Sequence, residues 1–363
     1  MTKKTDPILT HGGDWAGFAA EYGAQAPLLD FSANVSPLGL PVGVAAALAG
    51  CASGCDRYPD PLCRELTAAI ARAEGVPAEW VLCGNGAADL IWRGALALRP
   101  GRALVTAPAF AEYEAALAAV GCRVERYALR EAEGFRLDEG FLEAIRPGVG
   151  MVFLCEPNNP TGLTSPRPLL LQVLERCRQA GALLVADECF GDFLADPDAH
   201  TLKGALEGKG ALEGGGLLLL KAFTKLYGMA GVRLGYGLCA DSALLAKLRA
   251  AGQPWAVSTP AQAAGLAALK ETAYVQAVRA LIADQRPRLA AGLAALGCQV
   301  LPGEANYLLF RCGTPLAEPL RRRGILLRSC ANYHGLGPDW YRAAVRTGPE
   351  NRRLLAALRE VLG

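Results

Sequence analysis

The chain has 363 residues, of which 52% are hydrophobic and 20% charged, and its formal net charge is +2. This composition argues against a disordered chain and gives no sign of a nucleic-acid-binding surface, while the length allows a large domain and a smaller one. The first residues lack the apolar core of a signal peptide, and no later segment holds about 20 uninterrupted apolar residues. We therefore predict a cytoplasmic protein with neither a nucleic acid nor a membrane as partner.

The cysteine pattern indicates burial rather than disulfide or metal chemistry. Most of the 12 cysteines lie in apolar runs, such as residues 153–155 and 237–239, where a thiol behaves as a small hydrophobic group. Cys51 and Cys55 have no second pair at zinc-finger spacing, and the chain has only 3 histidines. We expect no metal site.

Turn-rich segments come first along the chain. His11-Gly-Gly13, the loop with Asn34 and the loop with Tyr58 lie among glycines and prolines. As chemistry, these three loops offer an imidazole, a carboxamide and a phenol. A helix is predicted after them, at residues 64–73.

A glycine turn links a strand predicted at residues 80–83 to a helix predicted at 90–98. Around Gly84-Asn-Gly86 and Ala87, free backbone N–H groups and the helix dipole both point at the turn. Such a turn is suited to binding an anion, although a loop of this kind is weak support when it stands alone.

Apolar strands alternate with helices from Arg102 onward. Continuous apolar strands separated by helices predict an α/β fold with a mostly parallel sheet that is covered on both faces. Ligands bind at the carboxyl ends of the strands in such a sheet, and Phe110, Asn159, Asp187 and Lys225 follow predicted strands. The predicted strands are residues 103–106, 124–128, 151–155, 183–186, 217–220 and 234–239, and the helices between them are 111–120, 138–144 and 167–180.

The last third of the chain predicts a smaller α+β unit. The glycine-rich residues 204–216 are interpreted as an exposed connector, and a long helical region, interrupted near Pro287, extends to about residue 296. The strands of the small unit are predicted at residues 306–310, 325–328 and 340–346, with helices at 316–323 and 350–362. We predict an N-terminal arm that contributes to the functional site, a large domain and a small C-terminal domain, at residues 1–45, 46–255 and 256–363.

One stretch carries the strongest chemical signal. The apolar run 217–220 is followed by Thr224 and Lys225, and Arg233 comes eight residues later. A lysine at the end of a rigid strand in a partly dry pocket loses solvation, so its pKa falls and the neutral amine can attack a carbonyl. A single lysine more often points to solvent, but a hydroxyl and a guanidinium beside it make a phosphate site. An amine next to an anion cradle suits an aldehyde cofactor that carries a phosphate.

This stretch, residues 222–236, resembles the Schiff-base lysine segment of pyridoxal-phosphate enzymes of the aspartate-aminotransferase fold. The resemblance implies a large fold-type-I domain with a mostly parallel sheet, a small α+β C-terminal domain, pyridoxal 5'-phosphate as cofactor, and a homodimer. Asp187 would then pair with the pyridine nitrogen, Asn159 would donate to the ring oxygen, and Phe110 would stack on the ring. The cofactor phosphate would be bound by Gly86, Ala87, Thr224 and Arg233, and by Tyr58 of a second subunit.

A narrower resemblance suggests the substrate. It is to the threonine-phosphate decarboxylases of cobalamin biosynthesis, a family related to the histidinol-phosphate aminotransferases. It implies conversion of L-threonine O-3-phosphate into (R)-1-aminopropan-2-yl phosphate and CO2. The segments that carry it are residues 11–13, 30–34, 57–60, 155–162, 187–190 and 328–333.

The same resemblance implies a set of substrate-binding residues. His11, Asn34 and Arg328 would bind the substrate phosphate, and Arg346 and Asn159 its carboxylate. Gly13 would belong to the same substrate site. A second group of arginine, histidine and amide donors, beyond those around the cofactor, suits a second phosphate. For Arg346, the residues alone favour a different interpretation, an ion pair between domains.

Two departures from the family pattern bear on function. Ala222 stands where the family usually has a serine hydroxyl, which implies weaker cofactor binding. Phe190 stands where related aminotransferases have a tyrosine, which favours decarboxylation. Two alternatives stay open: a histidinol-phosphate aminotransferase, and a non-catalytic regulator that binds the cofactor. The regulator is disfavoured because the chain has no basic DNA-binding extension.

Overall fold

The computed structural model describes residues 11–206 and 216–363. The strands in this part of the chain are β1 (Leu29–Asp30), β2 (Val81–Gly84), β3 (Arg102–Ala107), β4 (Arg123–Ala128), β5 (Met151–Cys155), β6 (Leu183–Asp187), β7 (Leu217–Ala222), β8 (Gly235–Leu238), β9 (Gln299–Val300), β10 (Tyr307–Arg311), β11 (Ile325–Leu326), β12 (Arg328–Ser329) and β13 (Trp340–Ala344). The α-helices are α1 (Trp15–Tyr22), α2 (Val42–Gly50), α3 (Arg64–Glu74), α4 (Ala87–Leu98), α5 (Ala111–Ala119), α6 (Gly140–Ala144), α7 (Arg167–Ala180), α8 (Pro197–His200), α9 (Phe223–Leu226), α10 (Ser242–Ala250), α11 (Thr259–Ala268), α12 (Thr272–Ala295), α13 (Ala317–Arg321) and α14 (Gly348–Leu362).

A seven-stranded sheet forms the centre of the large unit, in the order β2-β8-β7-β6-β5-β3-β4. Its neighbouring strands are parallel except where β8 lies antiparallel to β2 and to β7. The apolar strands are buried on both faces, with Leu184 and Leu219 in one core and Val185 and Leu218 in the other. The prediction of a mostly parallel sheet covered on both faces is confirmed, because runs without polar alternation leave neither face for water.

The register of the sheet aligns the strand ends that carry the site. Cys155 pairs with Asp187, and Asp187 pairs with Leu220, so β5, β6 and β7 end at one edge. The residues that follow each strand therefore meet at that edge, as expected for a parallel sheet.

The small unit is an antiparallel sheet in the order β12-β13-β10-β9. Buried residues of α12 and α14 pack in one core with Tyr307 and Phe310 of β10. The N-terminal segment joins this unit, because β1 pairs in parallel with β11. In contrast, Ala261 and Ala264 of α11 are buried in the core of the large unit.

The predicted interruption of the long helix at Pro287 is wrong. Helix α12 runs from Thr272 through Pro287 to Ala295 without a break. The helical region is interrupted earlier, between the end of α11 at Ala268 and the start of α12. A proline removes one backbone donor and favours a kink. Here Ile282 and Leu289 are buried on either side of the proline, so packing of that face compensates for the lost hydrogen bond.

Two predicted segments lie largely outside the described part of the chain. Most of the predicted glycine-rich connector, residues 207–215, lies outside the described residues, as do residues 1–10 of the arm.

All 12 cysteines are free thiols and 10 of them are buried, which confirms their prediction as small core residues. Among the described helices, none is both long and apolar enough to cross a lipid bilayer.

We predict that Gly235→Ala destabilises the protein, because β8 passes directly against the start of α4. A Cβ at Gly235 would lie 2.5 Å from the nitrogen of Ala87 and 2.8 Å from the carbonyl carbon of Gly86. Relieving this overlap costs about 1–3 kcal/mol, which thermal or urea unfolding will detect. Gly231→Ala is the control, since a Cβ there meets nothing within 4 Å. Equal stability of the two variants would contradict the prediction.

Candidate active site

A cavity of about 100 Å³ lies at the carboxyl edge of the central sheet. The ends of β5, β6 and β7, the start of α4 and the start of α5 enclose it. Seven of the predicted site residues line this cavity: Ala87, Phe110, Asn159, Asp187, Thr224, Lys225 and Arg233. Ala222, Cys155, Cys189 and Phe190 line it as well.

Lys225 enters the cavity from the short helix α9, which begins directly after β7. Burial lowers the pKa of Lys225, and the positive charges of Arg342 and Arg233 act in the same direction, against opposing effects of Cys189 and Asp187. The Lys225 Nζ atom lies 5.6 Å from the centre of the Phe190 ring. The lowered pKa agrees with the direction predicted from the sequence, and it favours a nucleophilic amine.

Asp187 is fixed in one orientation by two donors. Its Oδ2 atom accepts a hydrogen bond of 2.6 Å from the Tyr113 hydroxyl, and its Oδ1 atom accepts one of 3.0 Å from the backbone N–H of Cys189. Burial, together with Asp187, raises the pKa of Tyr113, so this phenol remains a donor. Sequence reasoning missed Tyr113, which lies in the first turn of α5, three residues after Phe110 at the start of that helix.

The predicted anion cradle comes together at the start of α4. Gly86 precedes the helix with a φ of 79°, and a Cβ there would lie 2.7 Å from Arg233 Nη2. Thr224 is buried beside them, and Ala87 begins the helix. Backbone N–H groups at a helix start, a hydroxyl and a guanidinium are the donors that an oxyanion requires.

A second, larger cavity of about 500 Å³ adjoins the first. The two cavities share Phe110, Asn159, Lys225 and Arg233 in their walls. The predicted residues His11, Gly13, Asn34 and Arg328 line the second cavity, together with Ser32, Glu112, Tyr333 and Arg342. The structure therefore brings these substrate-site predictions together with Lys225.

The amide of Asn34 is buried in the wall of the second cavity without a polar partner among the described residues. Asn34 is only 2% exposed, and within the described residues neither its oxygen nor its nitrogen has a hydrogen-bond partner. Leaving a buried amide unpaired costs about 1–3 kcal/mol, so such groups usually bind a ligand or a water molecule.

The structure does not place Arg346, the predicted carboxylate clamp, in the wall of either cavity. Strand β13 ends at Ala344, and Arg346 lies beyond it, where its Nη2 atom is 2.7 Å from Glu350 and its Nη1 atom is 3.1 Å from the carbonyl oxygen of Asp30. Arg342, two residues before the end of β13, lines the cavity instead. Both arginines lie on the same face of an extended chain, so the alternation of residues could not distinguish them.

Arg342 connects three parts of the site. Its Nη1 atom donates to Asn159 Oδ1 at 2.5 Å, and its Nη2 atom donates to the carbonyl oxygen of Ser32 at 2.9 Å. Because the oxygen of Asn159 is used in this way, the amide nitrogen is the group that remains to donate into the cavity.

Tyr58 lies outside both cavities of this chain. Its side chain is 80% exposed and stacks on Trp255, with 4.5 Å between ring centres. Its predicted role depends on a second subunit and stays a prediction.

Known proteins resemble this chain over most of its length. A family model described as aminotransferase class I and II matches residues 26–358. The chain belongs to this aminotransferase family. Threonine-phosphate decarboxylase of Salmonella typhimurium is 42% identical over 97% of this chain and 96% of its own length. Histidinol-phosphate aminotransferase of Symbiobacterium thermophilum is 37% identical over 93% of this chain and 91% of its own.

A solved structure supports the fold of this aminotransferase family. The histidinol-phosphate aminotransferase of Clostridium acetobutylicum superposes with a TM-score of 0.84 and 28% sequence identity, covering 92% of this chain and 99% of that one. The large, mostly parallel sheet and the small antiparallel sheet are thus the fold-type-I architecture that the sequence predicts.

We predict that Arg346→Ala lowers stability and leaves the active site intact. The substitution removes the ion pair with Glu350 and leaves the carbonyl oxygen of Asp30 without this donor, a loss of about 1–3 kcal/mol. The melting temperature will fall, while kcat/KM of the folded enzyme changes by less than about twofold. A large fall in kcat/KM without loss of stability would restore the original assignment.

Proposed function

We propose that the first cavity binds pyridoxal 5'-phosphate. Lys225 would bind its aldehyde carbon, Asp187 its ring nitrogen, Phe110 its ring face and the Asn159 amide nitrogen its ring oxygen. Its phosphate would lie among Gly86, Ala87, Thr224 and Arg233. When bound, the cofactor supplies an electron sink next to the substrate's α-carbon. The fit is supported by the partly buried amine, the fixed carboxylate and the anion cradle. Lys225, Asp187 and three members of the cradle line one cavity, and Gly86 lies next to Arg233.

We propose that the enzyme decarboxylates L-threonine O-3-phosphate to (R)-1-aminopropan-2-yl phosphate and CO2. The observation that carries this proposal is the second set of anion-binding groups beside Lys225, separate from the cofactor cradle. Arg342 with Asn159 suits the carboxylate of such a substrate, and Arg328, His11 and Asn34 suit its phosphate. The similarity to threonine-phosphate decarboxylase and the apolar Phe190 near Lys225 support this choice.

The chain's own residues would orient the substrate and move a proton. Binding the carboxylate and the phosphate at two separate points fixes the rotation of the bond between the α-carbon and the carboxylate. Binding energy from the phosphate would thus be used at the reacting carbon. Asp187 would stabilise a proton on the ring nitrogen of the bound cofactor. After CO2 leaves, Lys225 Nζ would deliver the proton that takes its place on the α-carbon.

The alternative is a histidinol-phosphate aminotransferase, which the 37% identity to such an enzyme favours. One experiment decides between the two: the holoenzyme is given threonine phosphate, and CO2 release is measured against amino-group transfer from glutamate to an acceptor. We expect CO2 release. Amino-group transfer without CO2 release would overturn the proposed function.

We predict that Lys225→Ala abolishes turnover and the covalent attachment of the cofactor. Lys225 is the lysine that lines both cavities among the described residues, and burial lowers its pKa. Borohydride reduction of the wild-type holoenzyme, followed by peptide mass spectrometry, will locate the cofactor on Lys225. Cofactor found on another lysine would contradict the assignment.

We predict that Arg328→Ala and Arg342→Ala separate the two ends of the substrate. Loss of a charge-assisted contact is worth about 1.5–3 kcal/mol, or roughly ten- to a few hundredfold in kcat/KM. Arg328→Ala will reduce kcat/KM for threonine phosphate far more than for plain threonine, whereas Arg342→Ala will reduce both, because both carry the carboxylate. Equal losses on the two substrates for Arg328→Ala would refute its phosphate role.

We also propose a cytoplasmic homodimer in which Tyr58 of one subunit reaches the cofactor phosphate of the other. The chain exposes several large apolar side chains that a second subunit would cover. They are Leu38, Leu40, Val42, Tyr58 and Trp255. Sedimentation equilibrium is expected to give the mass of two chains. A stable monomer with full activity would exclude the dimer-dependent role of Tyr58.

A further inference from the structure

A carboxylate lines the cavity that we propose for a phosphorylated substrate. Glu112, near the start of α5, lies in its wall together with His11, Arg328 and Arg342. A carboxylate repels a phosphate at short range unless a cation lies between them. Its presence among anion-binding groups therefore needs a physical explanation, and the general requirements of the proposed reaction do not supply one.

Both oxygens of Glu112 are bound to protein groups. Its Oε1 atom lies 2.8 Å from His11 Nε2, and its Oε2 atom accepts a hydrogen bond of 3.1 Å from Trp92 Nε1 of α4. The indole N–H orients the carboxylate, and the carboxylate in turn orients the imidazole. This contact joins residues 101 positions apart in the chain, so it ties the N-terminal arm to α5.

The backbone next to His11 is fixed as well. The N–H of Gly13 donates to Ser32 Oγ at 2.8 Å. A Cβ at Gly12 would lie 2.2 Å from the carbonyl oxygen of Ser32, so the arm packs directly on that loop. The His11 ring also lies against Phe110, with 5.5 Å between the ring centres. His11 is thus positioned by its backbone on one side and by Glu112 on the other.

The pairing determines which ring nitrogen is available to a ligand. Nε2 of His11 is used by Glu112, and Nδ1 has no hydrogen-bond partner among the described residues. An imidazole that carries protons on both nitrogens can donate to Glu112 and to a phosphate at the same time. In this arrangement the ring offers one N–H donor to the phosphate while its other nitrogen pairs with the carboxylate.

We propose that Glu112 is a positioning residue for phosphate recognition, which acts through His11 and touches no substrate atom. The inference rests on the proposed function, since it assumes that a phosphate lies in the second cavity. It has a consequence that a merely structural carboxylate lacks. With His11 present, Glu112 assists phosphate binding; with His11 removed, the same carboxylate faces the phosphate directly and opposes it.

The test is a set of four holoenzymes: wild type, Glu112→Gln, His11→Ala and the double variant. We expect Glu112→Gln to lower kcat/KM for threonine phosphate roughly ten- to a hundredfold, chiefly through KM, because a charge-assisted contact is lost. Plain threonine should respond far less. In the His11→Ala background, the same substitution should leave kcat/KM unchanged or raise it.

Two further variants serve as controls. Glu114→Gln changes a carboxylate two residues along the same helix, which pairs with Arg126 and lies outside the cavity wall, so both substrates should be unaffected. Trp92→Phe removes the donor that orients Glu112 and keeps its charge. It should lower kcat/KM for threonine phosphate by a smaller factor than Glu112→Gln does. If Glu112→Gln does not fold, Trp92→Phe replaces it in the comparison with and without His11.

Two results would overturn the inference. One is an equal fall in kcat/KM for threonine phosphate and for threonine in Glu112→Gln. The other is the same fall in kcat/KM from Glu112→Gln whether or not His11 is present. If the wild-type holoenzyme releases no CO2 from threonine phosphate, it is the proposed function that fails. The four proteins are then compared in their affinity for inorganic phosphate by calorimetry. Weaker phosphate binding by Glu112→Gln only when His11 is present supports the role of Glu112, and equal affinities refute it.

Discussion

The partial burial of Lys225 at the end of β7 is the constraint on which the rest of the site depends. An ammonium group is unfavourable away from water, so its pKa falls where β7 ends inside the protein. The sheet makes this burial possible, because the parallel strands β5, β6 and β7 are covered on both faces and end at one edge. The same edge places Asp187 beside the amine and aims the start of α4 at the cavity, so one packing arrangement produces the amine, the carboxylate and the anion cradle together.

The arm, the large unit and the small unit meet in one chain of hydrogen bonds. Gly13 donates to the side chain of Ser32, and Arg342 of the small sheet donates to the carbonyl oxygen of Ser32 and to Asn159 of the large unit. The pairing of β1 with β11 holds the Ser32 segment against the small unit. The second cavity is therefore a product of all three parts, and none of them contains it alone.

The sequence predicts those parts of the structure that depend on residues close together in the chain. Continuous apolar runs located the strands of the central sheet, and Lys225 with Thr224 and Arg233 lie close together in the chain. Residues that act through distant contacts were missed: Tyr113 reaches Asp187 across 74 positions, and Glu112 reaches His11 across 101. Arg342 and Arg346 are four residues apart and would share a face if the strand continued, so only the observed end of β13 at Ala344 distinguishes them.

The anchoring of Arg342 has a consequence for the size of the substrates that the site accepts. Its guanidinium is held by a backbone carbonyl and by a buried amide, so its position does not follow the flexibility of a long side chain. Arg328 is likewise buried and extends from the neighbouring strand of the same sheet. If they bind the two ends of the substrate as proposed, the two guanidinium groups would hold two anionic groups at a nearly fixed separation. In the proposed reaction, a substrate longer by one methylene would be rejected by its length, whereas a branch between the two anions would be tolerated wherever the cavity has local space.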